Sequence, residues 1–530
     1  MESITKAWEQ YEAGVEYKRR IDLYSNVRRN EKFYRGEQWD GVNSNGLPTP
    51  VFNIIKRIIS YMISTATAQP VSISYSDDSL TVLADEELKK KISDGIELLN
   101  KNVSYRLDKD KIESLIRCAM LDAALSGDGV FYTFWDADIR TGQPYTGDIR
   151  TVLCDNTDLF VANVNSRDIQ MQDYVMLRGR DTVFHLKKEA EAYGVSRTDI
   201  MKITPDESLG TGAGELFDIE SENEENATFL LKFSRDENGF VIWEKATKNV
   251  VIRRGKTNMK RYPVAYFSWE NVKGSFIGNS PVTSLIPNQK YINKAYAMVM
   301  KHMTDTAFSK VVYDKTLIPE WTNEVGEAVG VKGGDVRQAA VSLGVGNMQS
   351  GFLDVIAMTM SHTKELMGAT DAALGEVDPD NTSAILALQE SSNIPLENIR
   401  QNLYACIEDL ALNWAEMIFE YYPAGRLLTY TEENTEKSAE MPDYEIFKNS
   451  VIRARVDVGA GTKYSQIVAV NTLDKLLAGG FIGIEDYLER LPDGIISDKR
   501  GLVEKIREKN LKEEAKKSQT EEIANEGSIS

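Results

Sequence analysis

The chain has 530 residues, of which 42% are hydrophobic and 27% are charged, as in folded soluble proteins of several domains. A formal net charge of −19 argues against a surface that attracts nucleic acid everywhere, although an acidic channel wall would let DNA slide past. The three cysteines form no pair or Cys/His cluster, and no apolar run approaches the ~18 residues of a membrane span.

The first half of the chain alternates helical and strand patterns. Its predicted helices are residues 1–30, Val51–Thr67, Asp85–Asn100, Asp108–Ser126 and Thr182–Tyr193. Its predicted strands are Gly129–Asp136, 158–164, 173–180, Thr228–Phe233, Phe240–Lys245 and Val250–Arg254. Residues 204–226 are rich in glycine and carboxylates, which indicates an exposed loop. We therefore expect a mixed α+β domain over residues 1–280.

A helix with two distinct faces is predicted over Asn288–Ser309. Its apolar stripe consists of Ile292, Ala295, Tyr296, Val299 and Met303. Lys290, Lys294 and Lys301 fall within about 40° of one another on the opposite side. This pattern indicates either the solvated face of an amphipathic helix or a lysine stripe that faces a polyanion.

A second amphipathic helix is predicted over Phe352–Met367. Residues 311–348, between the two helices, lose the long periodicity and predict a small α/β insertion, with a short helix near Thr322–Val329. The two helices could form an antiparallel pair that carries this insertion at its far end. A loop rich in glycine and aspartate, Gly368–Asn381, follows the second helix.

The longest predicted element is a helix from Thr382 to Tyr422. Apolar residues recur there at steps of three and four on a stripe about 80° wide, in a helix about 60 Å long. Pro395 lies inside this helix and predicts a kink, because it lacks the N–H that would bond the carbonyl of Ser391. Strand patterns follow Pro423, and three helices are predicted over Lys463–Asn510.

No catalytic motif is evident. The histidines, His185, His302 and His362, do not lie in a nucleophile motif. The GTGAG segment lacks the preceding strand and the Gly-Lys-Ser/Thr of a phosphate-binding loop. The carboxylates near Asp371 lack the spacing of a calcium loop, so a solvated loop is the simpler interpretation.

Several longer segments together resemble bacteriophage portal proteins of the Gp6-like family, which are head-to-tail connector subunits. The segments are NEKFYRGEQWDG with LPTPVFNIIKRIISYMISTATAQP, DAALSGDGVFYTFWD, NTDLFVANVNSRDI, GNSPVTSLIPNQKYINKAYAMVMKHM and KYSQIVAVNTLDKLLAGGFIGIEDYLERLPDG. They are spread over nearly the whole chain. The resemblance implies a predominantly helical α+β portal fold that assembles into a ring.

The resemblance also implies names for the regions of the chain. A wing would comprise residues 1–280 and, as strands, 423–462. Two stem helices at 281–310 and 351–367 would flank a clip at 311–350. A tunnel loop at 368–381 would precede a kinked spine helix at 382–422, crown helices at 463–510 and a disordered tail at 511–530.

Four sets of residues receive candidate roles. The lysine stripe, Lys290, Lys294 and Lys301, is the candidate contact with DNA in the channel. The resemblance implies a tunnel loop with Thr370, Asp371, Glu376, Asp378 and Asp380. Contacts in the ring are expected mainly from the long helix and the stem pair, and packing between subunits is assigned to Leu396, Ile399, Leu403, Leu410 and Trp414 on the long helix. Docking through the clip is assigned to Trp321, Lys332, Asp335 and Arg337.

The partners implied are those of a portal ring at one capsid vertex. The ring, usually of twelve subunits, would pass double-stranded DNA during packaging and ejection. Terminase would dock first and head-completion or adaptor proteins later, with capsid and scaffolding proteins as further contacts. The resemblance implies assembly in the host cytoplasm, residence in the virion and no contact with membrane, and we expect no cofactor, no metal and no covalent chemistry.

Two other functions are open from the sequence. The chain could be a scaffold or minor head protein that forms no DNA channel, which predicts particles without a central bore. It could also be a metal-dependent nuclease that uses the scattered carboxylates, which predicts activity that depends on a divalent metal.

Overall fold

The computed structural model describes residues 2–491, together with 502 and 506. Within 2–491 it leaves out 79–84, 207–224, 308–310, 322–328, 334, 343–350, 370–381, 424, 433–434, 441–446, 448–449 and 459–462. The chain divides into two compact units, one of Met1–Asp378 with Ser391–Asp457 and one of Pro379–Glu390 with Val458–Ser530. Helices and strands are mixed along the chain, and more residues lie in helices than in strands, which confirms the α+β class. Among the described helices, none is long and apolar enough to cross a membrane.

The N-terminal helices are α1 (Glu2–Arg20), α2 (Leu23–Arg35), α3 (Ile54–Ala66), α4 (Glu86–Lys109) and α5 (Ile112–Ser126). Residues 1–30 do not form one helix, because the backbone leaves the helical region at Asp22, where φ is +55°. Helix α3 begins three residues later than predicted, since Asn53 caps it by accepting a hydrogen bond from the Lys56 N–H. Helix α5 ends at Gly127 as predicted, with a φ of +102° that favours glycine.

Two antiparallel sheets lie in the first half. Their strands are β2 (Asp128–Arg140), β3 (Thr146–Cys154), β4 (Leu159–Val161), β5 (Tyr174–Thr182), β6 (Asn226–Arg235), β7 (Val241–Thr247), β8 (Val251–Lys256) and β9 (Val264–Ser268), after an earlier strand β1 (Val71–Asp77). One sheet has the order β4-β5-β6-β7-β8 and the other β3-β2-β9. Helices α6 (Val183–Ala192) and α7 (Arg197–Ile200) lie between β5 and β6. Strands β1, β3 and β9 were not predicted.

Helix α8 (Pro281–Ala307) begins seven residues before the predicted start at Asn288. The glycine- and proline-rich stretch before Asn288 was interpreted as a loop. The Ser280 hydroxyl, however, accepts a hydrogen bond from the Val282 N–H and caps the helix. Pro281 fits the first turn because its missing N–H has no helical partner there, and the helix continues through Pro287.

The rest of the chain contains β10 (Val311–Tyr313), α9 (Val336–Ala339), β11 (Ala340–Ser342), α10 (Gly351–Leu366), α11 (Thr382–Tyr421), β12 (Leu427–Glu432), β13 (Thr435–Glu440), β14 (Ile452–Val458), α12 (Lys463–Ala478) and α13 (Ile484–Arg490). Strand β10 pairs with β11, β12 with β13, and β1 with β14. The long predicted helix is thus confirmed as α11, with Pro395 inside it. The predicted third C-terminal helix and the tail after 511 lie outside the described residues, apart from the helical Leu502 and Ile506.

The main core lies within the first unit, where α3, α4, α5, α8 and α11 pack against the sheet β3-β2-β9. Trp414 of α11 is almost fully buried there, and its indole N–H donates a hydrogen bond of 2.9 Å to the Thr151 hydroxyl of β3. Burying an aromatic ring of this size contributes about 2–3 kcal/mol, and the hydrogen bond satisfies its polar edge. Helix α11 is therefore a central element of the subunit's own fold.

Candidate functional site

The paired helices α8 and α10, with the insertion between them, hold most of the described candidate residues. They are joined by a hydrogen bond of 3.2 Å from Asn288 to Thr363, and by a small buried cluster that joins Ala295 and Val299 to Ile356. The partners run in opposite directions along the two helices. The predicted antiparallel pair is therefore confirmed.

The first turn of α8 is fixed to α2 and α5 by buried polar groups. The Asn30 amide nitrogen lies 2.8 Å from the Leu125 carbonyl oxygen and 2.9 Å from the Thr283 hydroxyl. The Ser280 hydroxyl donates a hydrogen bond of 2.6 Å to the Ala124 carbonyl. Since buried polar groups are costly when unpaired, these bonds define where α8 leaves the body.

A second group of buried amides lies two turns further along α8. Gln289 accepts hydrogen bonds from the N–H groups of Ile54 and Ile55, at 3.0 and 3.4 Å, and donates to the Phe52 carbonyl at 2.7 Å. It also donates to Asn293, which donates in turn to Gln38. Gln289 thereby satisfies the first N–H groups of α3, which have no partner within their own helix. The sequence analysis did not single out Gln289, and only its polar character among apolar neighbours could have indicated this role.

The three lysines of the predicted stripe are all exposed. Lys301 makes an ion pair of 3.3 Å with Asp305 one turn away, and the Lys290 ammonium lies 5.6 Å from the centre of the Phe33 ring. The stripe lies on the side of α8 opposite Val299, which contacts α10. Exposure makes the lysines accessible to DNA and to protein alike.

Large apolar side chains are also exposed on this pair. They are Tyr291, Met298, Met300 and Met303 on α8, and Phe352, Leu353, Val355, Met358 and Leu366 on α10. Several are more than half exposed, including Leu366 at 75% and Met358 at 55%. A concentration of this kind on one helix pair is typical of a surface that contacts another protein. Within the subunit, α8 covers chiefly Ile356 and Thr363 of α10 and leaves Phe352, Val355 and Leu366 exposed.

The insertion between α8 and α10 forms a small ribbon, in which β10 and β11 pair antiparallel from Val311↔Ser342 to Tyr313↔Ala340. Trp321 stacks on Tyr313 with 5.3 Å between ring centres. The exposed Lys332 is tied to Leu317 by a backbone hydrogen bond of 2.8 Å. Asp335 caps α9 by accepting from the Arg337 N–H, and both residues are exposed. The predicted short helix near Thr322–Val329 lies outside the described residues, except for Val329.

The residues assigned to packing between subunits have another place. Leu396, Leu403, Leu410 and Trp414 are at most 1% exposed, and Ile399 is 6% exposed, all within the core of the subunit itself. Side chains this deeply buried have almost no surface left for a second subunit. Their burial favours a role in the subunit's own fold over a contact between subunits. The proposed tunnel-loop residues, Thr370, Asp371, Glu376, Asp378 and Asp380, lie outside the described residues.

The chain just after α11 is held by a buried ionic cluster. Asp148 of β3 accepts hydrogen bonds from the Tyr422 hydroxyl, at 2.6 Å, and from Lys109, at 2.8 Å. Burial alone would raise the pKa of Asp148, but the Arg106 guanidinium and these two hydrogen bonds outweigh it and hold the pKa well below its usual range. In the part of the chain that the structure describes, no group of three or more His, Cys, Asp or Glu side chains is arranged to hold a metal ion.

Comparison with protein families identifies a relationship for this chain. The family model for the phage P22-like portal protein matches residues 180–471, which is more than half of the chain. The matched part contains α8, the insertion, α10 and α11, along with β6 to β9. This finding confirms the resemblance to bacteriophage portal proteins, and the matching family is the P22-like one. No curated protein matches the chain.

Proposed function

The chain belongs to the P22-like family of phage portal proteins, and on this premise we propose that it is the subunit of a ring-shaped channel at one vertex of a phage capsid. Double-stranded DNA passes through the ring when the head is filled and again when DNA is ejected. The ring guides and retains DNA and performs no covalent chemistry. The family match carries this proposal, since it extends over α8, α10 and α11 together.

The paired helices support assembly into a ring. Apolar side chains such as Met303 and Leu366 stay exposed in the single subunit, although α8 and α10 are firmly held to each other and to the body. Copies of the chain packed side by side would cover this surface. Each Å² of apolar area buried in this way would stabilise the assembly by about 25 cal/mol. We assign the contacts between subunits mainly to α8 and α10, and the long helix α11 to the subunit's interior.

The insertion is the proposed docking surface for the packaging motor and, later, for head-completion proteins. It follows α8 and precedes α10, so its ribbon lies at the end of the pair that is remote from the Asn30 and Gln289 anchors. Lys332, Asp335 and Arg337 are exposed there and offer charges of both signs to a partner. Residues 368–381 are proposed as the loop that lines the narrowest part of the channel.

Electron microscopy of the purified full-length chain tests this function directly. We expect closed rings with a central hole about 20–40 Å wide, enough for a DNA duplex. Class averages would give the number of subunits, which we propose to be twelve. Compact particles without a bore, found over a range of salt and protein concentrations, would contradict the proposal and favour a scaffold or minor head protein.

A further inference from the structure

The outward faces of α8 and α10 have matching patterns of charge. On α8 the exposed Lys290 and Lys301 are eleven residues apart, with the exposed Met298 between them. On α10 the exposed Asp354 and Glu365 are also eleven residues apart, with the exposed Met358 between them. Eleven residues of helix place each pair of charges about 16 Å apart. We call these surfaces the lysine face and the acidic face.

The two faces point away from each other. Val299 of α8 and Ile356 of α10 meet in the buried cluster inside the subunit. Lys290 precedes Val299 by nine residues and Glu365 follows Ile356 by nine, so each charge lies about 180° around its helix from the internal contact. The helix pair is therefore a two-helix layer, with a basic outer side and an acidic outer side.

The antiparallel register inside the subunit also suits a contact between subunits. Within the subunit Tyr296 lies next to Met360, with 3.8 Å between hydroxyl and sulfur. The same register applied between neighbouring copies sets Lys290 opposite Glu365 and Lys301 opposite Asp354. It also sets Met298 close to Met358, which gives an apolar centre flanked by two ion pairs. Such a contact has the usual anatomy of a protein interface, with an apolar centre and a polar rim.

From this match we infer that the lysine face of one subunit binds the acidic face of the next, a second copy of this chain, with Lys290 paired to Glu365 and Lys301 to Asp354. The inference rests on the proposed ring and names the surfaces that close it. Because the two outer sides of this layer differ, each copy binds the next one head to tail. Contacts of this type form a closed ring when the rotation from each copy to the next adds up to a full turn. The lysines then contact protein rather than DNA.

The partners that these side chains have within the subunit compete only weakly with the proposed pairing between subunits. Lys301 pairs with Asp305 on its own helix, and Glu365 pairs with His362 at 3.4 Å and accepts from the Ser361 hydroxyl at 3.2 Å. These are exposed pairs within single helices, a type that contributes little in water. The Lys290 ammonium also lies 5.6 Å from the centre of the Phe33 ring of α2, a cation–π contact that is weak at an exposed site. Ion pairs at the rim of an interface act chiefly by fixing the register of the two helices and by disfavouring contacts between like charges, so they direct assembly without having to be strong.

Charge reversal on the full-length chain tests the inference. The double variant Lys290→Glu with Lys301→Glu has carboxylates at all four paired positions of the two helices, and Lys294, which takes no part in the pairing, is left unchanged. The double variant Asp354→Lys with Glu365→Lys has basic outer sides on both. Like charges then meet at every contact. Each variant alone should therefore form rings only at a protein concentration roughly tenfold or more above that of the unsubstituted chain, measured by sedimentation velocity and electron microscopy. An equimolar mixture should form rings in which the variants alternate.

The matched control is the double variant Lys90→Glu with Lys91→Glu, which makes the same charge change at exposed positions of α4. It should form rings as the unsubstituted chain does. Thermal unfolding followed by circular dichroism should be similar for all variants, because every substituted side chain is exposed.

The outcomes separate the inference from the proposed function. Rings that require mixing of the two variants support the pairing. Normal rings from Lys290→Glu with Lys301→Glu overturn it and leave the lysines as a DNA contact, while the proposed ring stands. Loss of rings in both variants that mixing does not restore also overturns it. Absence of rings from the unsubstituted chain overturns the proposed function and the inference together.

Discussion

A single buried amide on α8 connects this helix to the start of α3. Gln289 is 2% exposed and bonds to the first turn of α3, to the Phe52 carbonyl and to Asn293. Gln289→Leu keeps most of the volume but removes the partner of the Ile55 N–H and one bond each from the Ile54 N–H and the Phe52 carbonyl, which still bond to each other at 2.8 Å. We expect the free energy of unfolding to fall by about 2–3 kcal/mol, measured by urea denaturation.

The control for this substitution is Gln401→Leu, which makes the same chemical change at an exposed position of α11. It should change the free energy of unfolding by no more than about 0.5 kcal/mol. Equal effects of the two substitutions would show that the hydrogen bonds of Gln289 do not stabilise the fold.

A half-buried carboxyl on α5 predicts a pH dependence. Burial, and then the carboxylates of Asp155 and Glu31, raise the pKa of Asp122 to about 7. The ordinary value in an unfolded chain is about 3.9, so the folded state binds more protons between these values. The contribution of Asp122 to stability is therefore lost as the pH rises from about 4 to about 7, and it stays constant above that range.

Asp122→Asn should remove this dependence. We expect the variant to gain about 1–3 kcal/mol in free energy of unfolding at pH 8 and to gain little near pH 4.5, measured by urea denaturation at both pH values. The control Asp94→Asn, at an exposed position of α4, should not change the difference between the two pH values. A gain of equal size at pH 4.5 and pH 8 would exclude titration of Asp122 as the cause.

At the scale of single elements, the end of α5 depends on a glycine. Gly127 has a φ of +102°, and a Cβ added there would lie 2.5 Å from the Gly278 carbonyl oxygen. Gly127→Ala combines a strained backbone with a backbone clash. We therefore expect the free energy of unfolding to fall by about 2–4 kcal/mol, measured by thermal or urea denaturation. Gly142 also has a positive φ, +73°, but nothing within 4 Å of such a Cβ. Gly142→Ala should therefore lower the free energy of unfolding by only about 1 kcal/mol.

Elements with strong local signals were the ones that the sequence predicted well. The glycine stop of α5 and the long periodicity of α11 depend on neighbours in sequence, which a pattern can detect. Strand β3 was missed because its segment contains Asp148 and Arg150, and a strand with a charged residue facing inward has no simple alternation. Asp148 is accommodated by Arg106, Lys109 and Tyr422, which are distant in sequence.

The candidate site was predicted in part for a similar reason. Spacing alone placed Lys290, Lys294 and Lys301 on one side of α8, and they are exposed there. Spacing also showed that the stripe containing Leu403 is covered, but it does not reveal whether the chain itself or a second copy covers it. That distinction requires the fold, because it depends on the elements packed around α11.

At the scale of the whole molecule, matched substitutions separate folding from assembly. Leu403→Lys puts a charge into the core and should cost more than about 4 kcal/mol of stability, so the subunit itself should unfold. Met358→Lys puts the same charge on the exposed acidic face. It should leave the unfolding temperature nearly unchanged but prevent ring formation, because it meets the lysine face of the next subunit.

Circular dichroism melting and electron microscopy of both variants check this pair of expectations. A stable Leu403→Lys subunit that fails only in assembly would return α11 to the contact between subunits. Normal rings from Met358→Lys would remove α10 from that contact.

Helix α8 is mechanically a beam clamped at one end. Its first turns are fixed to α2, α3 and α5 through Asn30, Ser280 and Gln289, whereas the described side chains beyond Val299 are exposed or only partly covered. A force applied at the Ala307 end produces its largest bending moment where the clamp begins, near Asn293. A pull from a partner on the insertion would therefore load the amides that start α3, together with the apolar side chains that hold α8 in the core, Val282, Leu285, Ile286 and Ile292.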